Sequence, residues 1–260
     1  MYGKHLTALG IALLTSALSL GAWAADEKPS THVLPREPKA AVIILDSKGG
    51  MLRRVSADPV LQVNADGSIL VGDPYGAGRK VEGTLTAEEL QTLLGFILDQ
   101  QQLAKITPDD LKMKAMMAVS DGITTVLTVN ADDAAQQLSG YAVEMVAQQN
   151  GADSAAARFI VITKKLYGLA DLTRLGGRPG LEKLIAAANT ALKAQHPAEG
   201  QLVAGELKQA YAPAAGGAKA VFAHKVILST GKWHMVWVTV TQPASGDATV
   251  SVQKGSDQPG

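Results

Sequence analysis

The chain has 260 residues, with 24 Lys and Arg against 24 Asp and Glu, 47% hydrophobic residues and no Cys. That balance excludes a partner held by bulk positive charge, such as nucleic acid or an anionic membrane surface, because both need clustered surplus cations. The absence of Cys excludes disulfides, thiolate metal sites and lipidation at a cleaved Cys, so the fold must rest on core burial, for which this length is sufficient in one large or two small domains.

Residues 1–24 read as a secretory signal peptide. Lys4 supplies a positive start and the stretch from Leu6 to Leu20 carries no charge. It is too short for a stable membrane span, which takes about 20 residues. Ala22-Trp23-Ala24 then provides the small-x-small pattern of a cleavage site before Ala25. The expected product is exported, periplasmic or extracellular, with no membrane anchor after cleavage. Residues 25–38 contain Pro29, Pro35 and Pro38 among polar residues and predict a mobile leader.

From residue 39 the pattern becomes that of a folded domain, expected to extend to 175. Ala40 to Leu45 reads as a buried strand, with the segment 51–55 as a candidate partner, and residues 60–72 form a hairpin signal turning at Asp66-Gly67. A strand over 80–86 leads to a helix whose start is marked by the capping-box pair Thr86 and Glu89. Leu90, Leu93, Leu94, Ile97 and Leu98 form its apolar stripe. Thr107-Pro108-Asp109-Asp110 predicts a second helix, running to about Val119. Two strands follow, joined by a turn at Asn130 to Asp133, and then a helix from about Asp153 with Phe159, Ile162, Leu166 and Leu169 on one stripe.

The part expected over 176–253 begins with a helix opened by Pro179 and Gly180, whose stripe is Leu181, Leu184, Ile185, Ala188 and Leu192. Its remainder reads as a three-stranded antiparallel meander, and 254–260 as a disordered tail. The fold class expected is α+β: antiparallel hairpins packed with amphipathic helices, plus a C-terminal helix and meander.

Each candidate for chemistry fails on spacing or setting. Residues 62–73 imitate a calcium loop but begin with Gln62, end with Asp73 where a bidentate Glu is needed, and sit between strands. The glycine-rich run from Gly72 to Lys80 enters a strand, whereas a phosphate loop enters a helix. Ser229-Thr230-Gly231-Lys232 matches a Ser-x-x-Lys pattern, yet it joins two strands and reads as a turn. His224 and His234 fall either on opposite faces of a hairpin or about four residues apart on one face, roughly 13 Å at ~3.3 Å per residue, too far to share a metal. The pairs Asp109 with Asp110 and Asp132 with Asp133 lie where caps and turns favour Asp. No cofactor and no metal is implied.

One surface stands out. Trp233, Met235 and Trp237 alternate with His234, Val236 and Val238, giving a strand with one aromatic and one aliphatic face. Ordinary burial of large apolar side chains predicts that both faces are covered, one of them by the fourth helix. An exposed aromatic face would instead bind sugars or a hydrophobic partner.

The stretch from Asn64 through Ile106, with Gly122 to Val129 and the helix around Lys164 to Leu172, resembles an uncharacterised, planctomycete-like group of secreted bacterial proteins. The segment from Val81 to Ile97 carries most of this likeness, which spans about half of the chain. It implies secretion and no particular chemistry. The function expected is a non-catalytic binding or interaction module for a protein or small ligand. The alternatives are an exported hydrolase with dispersed acidic residues and a structural envelope-associated protein.

Overall fold

A computed structural model of the chain describes residues 31–50, 56–73, 78–113, 121–195, 200–228, 230–256 and 258. The signal-cleavage residues Ala22, Ala24 and Ala25, the expected partner strand at 51–55 and Ser229 lie outside them. The fold is α+β, with two antiparallel sheets and four α-helices among the described residues. None of these helices is long and apolar enough to cross a membrane.

The first sheet has six strands: β1 (Ala41–Gly49), β2 (Leu61–Asn64), β3 (Ser68–Val71), β4 (Val81–Thr84), β5 (Ile123–Ala131) and β6 (Ala134–Tyr141), in the order β4-β3-β2-β1-β5-β6. The β2–β3 turn places Gly67 at φ +79°, and a Cβ there would lie 2.3 Å from the Leu85 carbonyl oxygen, so only glycine fits. Asp132 and Asp133, at φ 54° and 58°, make the β5–β6 turn. Two consecutive left-handed residues give the twist that closes a two-residue hairpin. β1 pairs with β2 and β5.

Helix α1 (Ala87–Gly95) carries the expected capping box: the Glu89 N–H donates to Thr86 Oγ1 (3.1 Å) and the Thr86 N–H to Glu89 Oε2 (2.8 Å). It runs on into a wider turn, Phe96–Gln100. Thr107 and Asp110 also cap as expected, but they start only a short 3-10 turn, Pro108–Leu111, which ends in extended backbone at Lys112. The helix expected there is therefore corrected to one turn, and 114–120 lie outside the described residues. Helix α2 (Val143–Asn150) was not anticipated; only Val143 and Val146 of its residues are buried, too few to mark a stripe. Helix α3 (Ala155–Arg174) begins at the N-cap Ser154 and buries Phe159, Ile162 and Leu166 against the sheet, with Leu169 only partly covered. It lies close enough to β4 that a Cβ on Gly83 would come 2.9 Å from the Thr173 methyl.

The second sheet joins β7 (Leu207–Tyr211), β8 (Ala218–Ile227), β9 (Trp233–Gln242) and β10 (Thr249–Lys254) in the order β10-β9-β8-β7. It has four strands rather than three. The added β7 is an edge strand in which only Ala210 is fully buried, so it lacks a strong hydrophobic alternation. Helix α4 (Gly177–Gln195) packs Leu181, Leu184, Ala188 and Leu192 onto Phe222, Val236, Val238 and Val240. The expected disordered tail is also corrected: Lys254 belongs to β10 and Gln258 exchanges backbone hydrogen bonds with Trp233.

The buried residues form two cores, one from Val42 to Ala170 and one from Leu175 to Val240. The Arg79 N–H donates to the Ala212 carbonyl (2.9 Å), tying the two parts together beyond the α3–α4 junction.

The N-terminal segment departs most from expectation. His32, placed by the proline-rich composition in a mobile leader, is buried. Its ring nitrogens face Asp132 Oδ2 (2.8 Å) and Asp99 Oδ2 (3.2 Å), and its backbone exchanges hydrogen bonds with the Gln91 side-chain amide. The Val33 N–H donates to Asp132 Oδ1 (2.8 Å), and the Asp132 N–H to the Val33 carbonyl (2.9 Å). Residues 32–33 thus clasp the β5–β6 turn to α1, at Gln91, and to the wider turn that follows it, at Asp99.

Candidate functional site

The register of the second sheet decides which side chains share a face. Trp237 stands between Ala223 on β8 and Gln253 on β10, Met235 pairs with Lys225, and Trp233 pairs with Ile227. Directly paired residues of an antiparallel ladder point to the same side, so these side chains form one surface. The neighbouring residues His234, Val236 and Val238 point the other way, into the α4 core.

Of the two faces, the aliphatic one is covered by α4; the expectation places the fourth helix on one face without saying which. The expectation that the aromatic face is covered as well is overturned: Trp237 is 44% exposed, Ile227 72% and Tyr211 39%. Trp233 and Met235 are half-buried by their own neighbours in the sheet. Ala223 is small, so the Trp237 indole rises beside it as a platform on the open face.

This face also carries positive charge that the sequence reading missed. Lys225 Nζ lies 4.4 Å from the centroid of the Trp233 ring, and Lys219 Nζ lies 5.8 Å from that of Tyr211. Each ammonium is therefore held over the negative face of an aromatic ring. A signal was present in the i, i+6 spacing of two Lys on one face of β8, but it has no meaning until the partner strands are known. None of β7, β8, β9 or β10 contains an Asp or Glu.

The other candidates sort themselves by geometry. His224 pairs with Val236, two positions from His234 and on the same face, so the separation of four positions expected from the sequence is corrected to two. His224 Nδ1 is bonded to Glu206 and His234 is fully buried. Among the described residues no three His, Asp or Glu come close enough to hold a metal. The turn residue Lys232 accepts the Leu228 N–H at its carbonyl, which makes the Ser-x-x-Lys segment a hairpin turn as far as it is described. In the calcium-loop imitation Asp66 binds Lys39 (2.8 Å) and Ser68, and the Lys39 ammonium above all holds its carboxyl far below the usual range. Lys80, from the glycine-rich run, is paired with Asp58 (2.8 Å).

A separate cleft of about 640 Å³ opens beside the first sheet and is lined by Asp73, Asp121, Glu144, Thr125 and Arg174 among others. Arg174 is engaged by Asp171 Oδ1 (2.8 Å) and the Gly72 carbonyl (3.2 Å). Burial pushes the Asp171 carboxyl up, against the opposing pull of Arg174.

No protein-family model matches this chain, and no match is found among curated proteins or solved structures.

Proposed function

We propose that this chain is an exported, non-catalytic binding module that engages its ligand through the open face of β8, β9 and β10, with Trp237 as central platform and Trp233 and Met235 beside it. The observation that carries this reading is the exposure of Trp237 on a sheet whose opposite face already forms a complete core. Exposed large aromatics in a contiguous patch cost solubility and are retained where something binds. Export is supported by the Lys4 start, the uncharged run to Leu20 and the Ala22-x-Ala24 pattern.

The chain has three Trp residues, and Trp23 lies in the segment read as signal peptide. With Trp23 cleaved off or replaced by Phe, emission reports on Trp233 and Trp237 alone. A ligand of this face shifts that emission on titration, and Trp237→Ala weakens its binding at least tenfold with the fold intact. A ligand that binds without any emission change and ignores Trp237→Ala would place the site elsewhere.

A hydrolase centred on the cleft at Asp73, Asp121 and Glu144 is the second reading, supported by three carboxylates lining one concavity. Hydrolytic turnover lost in Asp121→Asn and Glu144→Gln would establish it.

A further inference from the structure

Resting on the reading of the β8–β10 face as the binding surface, we infer that its ligand is an acidic polysaccharide, a chain of sugar rings carrying carboxylate or sulfate groups. Three features of the face point to that chemistry. Exposed Trp237 and half-exposed Trp233 offer flat apolar platforms, which suit the C–H faces of sugar rings. The side chains between and beyond them are neutral hydrogen-bonding groups: Gln253 beside Trp237, and Thr239 paired with Ser251 one row along. Such groups answer hydroxyls, whereas a surface made for lipid tails would be continuously apolar.

The third feature is charge. Neutral composition hides a segregation, because the four strands of this sheet carry Lys and no carboxylate. Lys219 and Lys225 bracket Trp237's partner Ala223 on β8, roughly 20 Å apart at ~3.3 Å per residue. Both ammonium groups are held over rings of the same face. A second copy stacked face to face would set these cations against each other with no carboxylate on the four strands to balance them. An elongated anion reaching from one Lys to the other across the Trp237 platform satisfies both.

Four probes separate the outcomes on the full chain with Trp23→Phe: polygalacturonate, uncharged dextran, poly-glutamate and phosphatidylglycerol vesicles. Polygalacturonate is expected to shift the tryptophan emission saturably, at least tenfold more tightly than dextran. The combined variant Lys219→Gln, Lys225→Gln should weaken it about tenfold, as should raising the salt to about 0.3 M, since exposed charges are screened within a few ångströms there. Lys225 is exposed and Lys219 half-buried, outside the second core, and an unchanged circular dichroism spectrum confirms that the variant folds. Equal, Trp237-dependent binding of dextran and polygalacturonate would overturn the acidic assignment and leave the face standing as the site. Tighter binding of poly-glutamate or vesicles would overturn the glycan. An unshifted emission with polygalacturonate, or indifference to the double Lys variant, overturns the inference.

Discussion

The two sheets share a plan and differ on their outer faces. Each is antiparallel, with one side packed by helices into an aliphatic core. Across the first sheet, one outward row reads Glu82, Leu70, Gln62, Ile44, Thr128 and Gln137 in register. Polar side chains alternate there with single apolar ones, the pattern of a solvated sheet face. The corresponding side of the second sheet holds Trp233, Met235, Trp237 and Ile227 with Lys225 among them. Since its helix-facing side already buries Phe222, Val236, Val238 and Val240, those outward residues add nothing to the core. A contiguous apolar patch that the core does not use is what the binding proposed above rests on, and that proposal also takes in the lysines.

The largest expected effect tests whether the two cores stand apart. Phe222 is fully buried in the second core, and Phe222→Ala should destabilise it by about 4 kcal/mol. Calorimetry should then resolve an earlier transition for the second unit, at a lower temperature than an unmoved transition for the first. One shared transition moving as a whole would mean that the α3–α4 junction and the Arg79–Ala212 bond couple the units fully.

Gly67→Ala strikes only the first unit. It combines a left-handed backbone with a Cβ pressed on the Leu85 carbonyl, and should cost about 2 kcal/mol. His32→Ala removes the side-chain bonds to Asp132 and Asp99 and should cost about 1.5 kcal/mol, read as a lower urea midpoint with an unchanged slope. An unchanged midpoint would mean that the clasp at residues 32–33 contributes nothing to stability.

Acid sharpens the same contrast. The His32 ring, and after it the Val33 N–H, hold the Asp132 carboxyl below its usual range, and the Thr107 N–H does the same for Asp110. Groups with a depressed folded pKa contribute stability that is present above the unfolded value, about pH 4, and is lost as the pH falls through the folded value. Asp66 adds in the same direction and the raised Asp171 opposes them. All four lie in the first unit, so melting below pH 4 should lower its transition more than that of the second. The smallest effect on stability belongs to Trp237→Ala, below about 1 kcal/mol, against a large loss of binding.

Much of the fold was legible because local chemistry decided it. The Thr86–Glu89 capping box, the Asp66-Gly67 turn and the stripes of α3 and α4 are written in residues a few positions apart. The capping pair Thr107 and Asp110 was equally legible, yet a cap specifies where a helix can start and not how far packing lets it run. The edge strand β7 and the short α2 escaped notice because each buries too few side chains to impress a period.

For the candidate site, alternation along β9 was sufficient to separate the aromatic face from the aliphatic one. Which of them α4 would cover, and that the other would stay open, depended on helix placement. The company of Lys225 and Gln253 around the tryptophans depended on strand register, and the burial of His32 on a turn a hundred residues away. The longer elements, their caps, the tight turns and the two-faced character of β9 can be read from residues close in the chain, since these follow from steric and hydrogen-bonding preferences within a turn or a strand. Which face is free and which charges gather on it emerges once the chain is folded, because pairing between distant segments sets what each side chain meets.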